Sequence, residues 1–396
     1  MFRRTFLRVS TLFGAGAVAS EALSPSSAAA APQAASSVPL KPPFPEYGPG
    51  GARGGVAEVY QKARQVLYPI CRVCRECNGV ACAGEYPGMG GVWSGASFQN
   101  NFQALRNVKL NLRTLHELSN RDKKPDTSTV IFGQKLALPA MAAPIGGPGG
   151  NFQNLLPDAE YFDRVIGGCV DAGTVGAIGD GEMDSMALVQ GRFDVIKRYQ
   201  GKAIAGIKPR PQQSLLQVVR LAEEAGAFMI TIDTDSAGRY GRSHPDIALE
   251  TKPLAKLREI VRATKIPVVL KGIMTPDQAL LAGEAGAAGI CVSNHGGRVL
   301  DHTPGTAEVL PAIVQAVKGK MVILVDGCVH YGDDVLKYVA LGADAVLVGR
   351  HIIRAAYGGG RPGVALFMKT MRDELEAAMV VTGVPDVRSI DRQVLA

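Results

Sequence analysis

Ala288-Gly289-Ile290-Cys291-Val292-Ser293-Asn294-His295-Gly296-Gly297-Arg298 decides how this chain is to be read. Its first five residues make a short buried strand, and the run then stops at a histidine, two glycines and an arginine. That is the pattern of the C-terminal lip of a parallel barrel strand, where catalytic groups are presented. An imidazole takes a proton near neutral pH, and a guanidinium grips a carboxylate through two parallel contacts. His295 and Arg298 are therefore the first candidates for a site, and the glycines between them leave room for a flat molecule.

Similar strands recur on both sides of this one. Leu136–Ala142, Thr174–Ile178, Ala203–Ile207, Phe228–Ile232, Pro267–Leu270, Gly289–Val292, Met321–Val325 and Ala345–Val348 alternate with helical stretches. Such parallel βα units close, at eight, into a (β/α)8 TIM barrel, expected over residues 130–385 with a tail at 386–396. A doubly wound open sheet is the runner-up, but the chain lacks its early glycine-rich dinucleotide turn. Several strands end on polar or glycine residues: Thr231-Ile232-Asp233, Lys271-Gly272, Asp326-Gly327 and Gly349-Arg350. The last two pairs place tight turns after strands 7 and 8, where barrels hold a phosphate on backbone N–H groups.

Before the barrel, an extension at 56–129 carries Cys71, Cys74, Cys77 and Cys82 in the spacing C-x2-C-x2-C-x4-C. Three readings stand: ligands for an iron–sulfur cluster or zinc, two disulfides, or free thiols. Earlier still, Arg3-Arg4-Thr5-Phe6-Leu7-Arg8, the apolar Val9 to Ala19 and the alanine run Ala28–Ala31 have the three-part pattern of an export signal. The paired arginines resemble a twin-arginine signal over residues 1–31, which implies an extracytoplasmic, periplasmic destination. Residues 32–55, rich in Pro, Gly, Ala and Ser, are expected to be a linker.

The formal charge is +7 over 396 residues, and +2 of it belongs to the first 31. No basic run with interleaved aromatics marks a nucleic-acid surface; a solvated lysine-rich surface accounts for the balance first, and an anionic small substrate or phosphate cofactor would fit it as well.

With these residues in view, the stretch from about 130 to 385 resembles the FMN-dependent L-2-hydroxy acid oxidase and dehydrogenase family, which includes glycolate oxidase, lactate oxidase and lactate dehydrogenase. The match rests on Ser293 to Asp301, Asp326-Gly327 and Leu341 to Arg350. Met141-Ala142-Ala143-Pro144, Thr231-Ile232-Asp233 and Lys271-Gly272 add to it. The resemblance implies oxidation of a small 2-hydroxy acid to the 2-oxo acid. His295 would be the base, Asp233 would hold its imidazolium, and Lys271 would stabilise negative charge on reduced flavin. Arg298, with Arg239 or else Arg242 as a second arginine, would bind the substrate carboxylate. Pro144, Ile145, Gly146, Thr231 and Ser293 would line the flavin ring, while Asp326, Gly327, Gly349 and Arg350 would secure the ribityl chain and phosphate. The electrons would pass to oxygen, a quinone or a redox protein, and a homo-oligomer is expected.

The chain also departs from that family. Tyrosines usually present in the N-terminal segment and after strand 3 are replaced by Gly88-Met89-Gly90-Gly91 and Gly206-Ile207-Lys208, and an aromatic after strand 2 by Gly179-Asp180-Gly181. His330 stands where an arginine commonly supports the phosphate. The substrate pocket is thus rebuilt around an intact flavin framework. Two other readings are an FMN-dependent isomerase of the type 2 isopentenyl-diphosphate kind and a non-enzymatic flavin or cluster electron carrier.

Overall fold

Runs such as Ala203-Ile204-Ala205-Gly206-Ile207 are apolar on both faces, which suits a strand covered on both sides, and the structure buries all five residues. The structure, a computed structural model, describes residues 54–85, 89–181, 185–238 and 249–396. Eight parallel strands form the barrel: β1 Ala140–Ala142, β2 Gly176–Gly179, β3 Ala203–Ile207, β4 Met229–Asp233, β5 Val268–Ile273, β6 Gly289–Val292, β7 Val322–Val325 and β8 Ala345–Val348. Each pairs in parallel with its sequence neighbour from β2 to β8, and β8 returns to pair with β1. The remaining seam, between β1 and β2, is drawn together by Ala142 N–H donating to Val175 O at 3.1 Å and by a bridge between Gly146 and Gly179.

Two strands differ from the expected bounds by three residues or more at one end, for local reasons. Leu136–Ala142 is not one strand: Gln134–Leu136 pairs antiparallel with Thr129–Ile131, and the barrel strand begins after Pro139, which has no N–H to give a ladder. β5 runs on past Leu270 to Ile273 through an irregularity between Lys271 and Ile273. Gly272, at φ +100°, lies inside it.

The segment before the barrel is built into it. Helix α1 (Gly54–Leu67) lies against helix α3 (Arg350–Thr382), where Tyr60 OH meets His351 Nδ1 at 2.6 Å. A side chain at Gly358 would strike the Val59 carbonyl, so glycine there permits the close approach. Helix α2 (Ala96–Asn107) lies over the loop after β6. The C-terminal residues pack against the segment that follows α2, with Asn111 N–H donating to Val394 O at 2.9 Å. No helix among the described residues is long and apolar enough to cross a membrane. The proposed signal and nearly all of the linker, together with Arg239, Arg242 and Gly88, lie outside the described residues.

Candidate active site

At the C-terminal ends of the strands a cavity of about 500 Å³ opens. Lys271, His295, Arg298, Asp326 and Arg350 all line it, so the polar lips read from sequence do converge. Pro144, Ile145, Gly146, Gly327 and Gly349 line the same space.

One face of the cavity is a buried charge network. Lys271 Nζ lies 3.7 Å from Asp233 Oδ1 and 3.7 Å from Asp326 Oδ2. Burial opposes its charge, but the carboxylates of Asp233, Asp326 and Asp235 outweigh burial and raise its pKa. Asp233 is likewise buried, yet Lys208 and Lys271 hold its carboxyl below the usual range. Asp326 goes the other way: burial raises it, although Lys271 and a 2.8 Å hydrogen bond from Ser293 Oγ oppose the rise.

His295 sits at φ +58°, a left-handed backbone that a non-glycine residue holds only when its surroundings fix it. Those surroundings are well defined. Its N–H donates to Ser293 Oγ at 3.0 Å, and the preceding Asn294 is bound by Asn101 Nδ2 at 2.6 Å. Asn294 Nδ2 in turn donates to Ser97 O and Thr303 Oγ1. Val92 N–H also donates to Gly297 O at 2.8 Å, and Asp301 accepts from Ser94. Helix α2 thereby fixes the loop that carries the base.

The carboxylate against the imidazole is not the expected one. His295 Nδ1 lies 3.1 Å from Asp235 Oδ1, whereas Asp233 is taken by Lys208 Nζ at 2.8 Å and by Lys271. Asp233 ends β4 and Asp235 lies in the 3-10 turn Thr234–Gly238 that follows it. An Asp-Thr-Asp spacing gives two carboxylates near one lip, and the sequence alone did not separate them. The neighbouring strand decides the matter. A Cβ at Gly272 would come within 2.6 Å of Asp235 Cβ, so this glycine makes the space that Asp235 occupies.

Arg298 donates to Asn151 Oδ1 at 3.1 Å. Arg350 hydrogen-bonds Met89 O and Gly296 O and stacks 3.8 Å over the Phe98 ring. It thus ties the roof of the pocket to the base loop while lining the cavity itself. Asn151, Met89, Phe98 and Lys208 were not assigned to the site from sequence. Lys208 was legible only as a departure from a resemblance, and the others lie outside the strand lips.

The four cysteines of the extension are separate thiols, with Cys71 and Cys77 buried. Burial, helped by Cys77, Cys71 and Cys74 nearby, pushes the Cys82 thiol up to about 11. Arg354 Nη2 donates to Cys77 Sγ at 3.0 Å. Cys77, His330 and His351 bring ligand atoms within 4.8 Å of one another.

The chain matches the FMN-dependent dehydrogenase family over residues 88–253 and 242–396. The chain belongs to that family. It is 32% identical over 343 residues to a peroxisomal (S)-2-hydroxyacid oxidase of Arabidopsis thaliana, covering 76% of this chain and 89% of the relative. It is 30% identical to the glycolate oxidase of Spinacia oleracea over 75% and 86% of the two chains. A crystal structure of mandelate oxidase superposes with a TM-score of 0.68 at 28% identity, covering 86% of this chain and 97% of the other.

As an FMN-dependent dehydrogenase the protein is an oxidoreductase that uses FMN, and the cavity fits that group. Thr231 Oγ1 and Asp326 Oδ1 are buried with no hydrogen-bond partner among the described residues, a cost a polar cofactor would relieve. The walls are glycine-rich: an added Cβ at Gly206 would strike Pro144, and one at Gly179 would strike Ile145. Thr231, Ser293, Lys271 and Asp326 are the polar residues that would hold the flavin, with Gly327 and Gly349 toward the phosphate.

Proposed function

We propose that this chain oxidises a small L-2-hydroxy acid to the 2-oxo acid. The observation that carries the reading is His295, held through Nδ1 by Asp235, in one cavity with Arg298 and Lys271. In the overall change the Cα–H and O–H bonds of the substrate break, a C=O bond forms, and two electrons and two protons leave, one proton to His295 and the other with the electrons. Bound FMN supplies the acceptor for those electrons. Arg298 binds the carboxylate and sets the orientation of Cα. With Nδ1–H donated to Asp235, His295 Nε2 is the lone pair that accepts a proton, and Asp235 stabilises the resulting imidazolium. Lys271 is the cation that would meet negative charge on the reduced cofactor.

The relatives' names support hydroxy-acid oxidation, and the isomerase and electron-carrier readings gain nothing from them. The test is anaerobic mixing of the FMN-loaded protein with a panel of L-2-hydroxy acids. Bleaching of the flavin absorbance is expected; no bleaching with any of them rejects the reading.

Oxygen is the acceptor favoured by the oxidase names of the relatives, and admitting air to the reduced protein should restore the flavin colour and yield hydrogen peroxide. Reoxidation only by a quinone or a redox protein would reject it. Export rests on the arginine pair, apolar segment and alanine run, and N-terminal sequencing of protein recovered from the periplasm of an expressing bacterium tests it. For a metal or cluster, the gathered thiols and the Cys77, His330 and His351 trio speak in favour. The Arg354 guanidinium on Cys77 Sγ speaks against, since it puts a cation where the ion would sit. Metal and sulfide analysis of purified protein decides between them.

A further inference from the structure

The substrate side of the cavity holds an ammonium for which the chemistry above has no use. Lys208 follows β3 directly, is buried, and lines the cavity. Its backbone N–H donates to Asp180 Oδ2 at 3.2 Å, and Asp180 is gripped by Arg210 through two contacts of 2.7 and 2.5 Å. Nζ lies 2.8 Å from Asp233 Oδ2, 2.9 Å from Ser236 Oγ and 3.5 Å from His295 Nε2. This is a lysine built into place from both ends.

An ammonium has three N–H groups. Asp233 and Ser236 account for two, and the third faces the imidazole across a gap longer than a good hydrogen bond. Because Nδ1 is turned to Asp235, Nε2 is the nitrogen that receives the substrate's proton. Whichever substrate hydrogen goes to Nε2, the α-oxygen is at most one bond away from the atom that loses it. That places the α-oxygen within reach of Nζ.

We propose that Lys208 donates its third N–H to the α-oxygen of the bound 2-hydroxy acid and, after oxidation, to the keto oxygen of the product. The inference rests on the hydroxy-acid reading and adds a catalytic residue to it. When the O–H proton passes to His295 Nε2, its bonding pair stays on the α-oxygen and negative charge gathers there beside a fixed cation, until that pair closes the C=O bond as the Cα–H hydrogen leaves with its two electrons for the acceptor that FMN would supply. Asp233 then has a defined role, because it neutralises Lys208 and Lys271 together and keeps both in place.

The test compares Lys208→Met and Lys208→Arg with the parent by rapid anaerobic mixing. For Lys208→Met the limiting rate of flavin reduction should fall about 100- to 1000-fold, the loss typical of one donor at a developing oxyanion. Bound FMN and its visible spectrum should stay as in the parent, the melting temperature should fall because Asp233 loses a buried partner, and Lys208→Arg should regain about tenfold or more of the rate. The 2-oxo acid product, titrated by its perturbation of the flavin spectrum, should bind more weakly to the Met variant. Reduction of Lys208→Met within about threefold of the parent rate overturns the inference. If Lys208→Met and a milder Lys208→Gln both purify without FMN, the lysine serves the scaffold and the inference is equally overturned. A parent that no hydroxy acid reduces rejects the hydroxy-acid reading and this inference with it, whereas a reduced parent with an indifferent variant rejects the inference alone.

Discussion

The two ends of the cavity solve the same problem, a buried charge, in different ways. On the flavin side, Lys271 is shared between Asp233 and Asp326, while Thr231 Oγ1 and Asp326 Oδ1 are left for an incoming polar group. On the substrate side each charged side chain already has a partner: Lys208 with Asp233 and Ser236, His295 with Asp235, Arg298 with Asn151, although Arg298 Nε is buried without a hydrogen bond among the described residues. The first end is prepared for a resident that stays; the second holds its groups in position for a visitor that leaves. A pre-paired site costs little reorganisation at the moment of reaction, which is where electrostatic catalysis gains most.

Five changes test that contrast. The largest effect is expected for His295→Ala, which should keep FMN but reduce the rate of flavin reduction by about 10⁴, the upper end for loss of a general base. Loss of FMN would mean that the two ends are not separable. Next, Asp235→Asn should slow reduction about 100-fold with the flavin spectrum unchanged. Asp233→Asn should disturb the spectrum as well, because it leaves Lys208 and Lys271 without their shared counter-charge. Equal spectra for the two variants would remove the distinction drawn between these aspartates.

Smaller again, Arg298→Lys should weaken substrate binding about tenfold, read from the concentration dependence of reduction, since a lysine lacks the two-pronged fit to a carboxylate. The smallest change lies behind the flavin end. Asp334 accepts from the backbone N–H groups of His330 and Tyr331, and burial first, then Asp333, pushes its carboxyl up from 3.8 to about 6. A raised folded pKa means stability present below the ordinary carboxylate range and lost as pH rises through about 6. The melting temperature of Asp334→Asn should therefore lose the part of its decline that the parent shows between about pH 4 and 6. A curve parallel to the parent's would show that Arg106 and Lys337, 3.5 and 3.9 Å away, already cancel the penalty.

The same contrast explains what the sequence made legible. Strand ends are short apolar runs stopped by polar residues, so Lys271, His295, Asp326 and Arg350 could be placed at one rim from the chain alone. Ala203–Ile207, Gly289–Val292 and Ala345–Val348 match the observed strands residue for residue. Choosing between Asp233 and Asp235 required Gly272, on the neighbouring strand, and no local pattern couples them. Lys208 looked like a missing aromatic because its partners, Asp233 and Ser236, come from the next strand and its turn. Arg350 could be placed at the rim from its position after β8, but the carbonyls of Met89 and Gly296 that it meets could not, because they come from other segments. Contacts between distant segments are what spacing does not encode.

The roof described above also sets a schedule. Residues 89–101 leave the ribosome long before Asn294, Gly297 and Arg350, the partners that hold them. The newborn amino-terminal third therefore has to wait, without its closing contacts, until almost the whole polypeptide has been made. Cofactor loading then belongs to the finished chain rather than to the growing one.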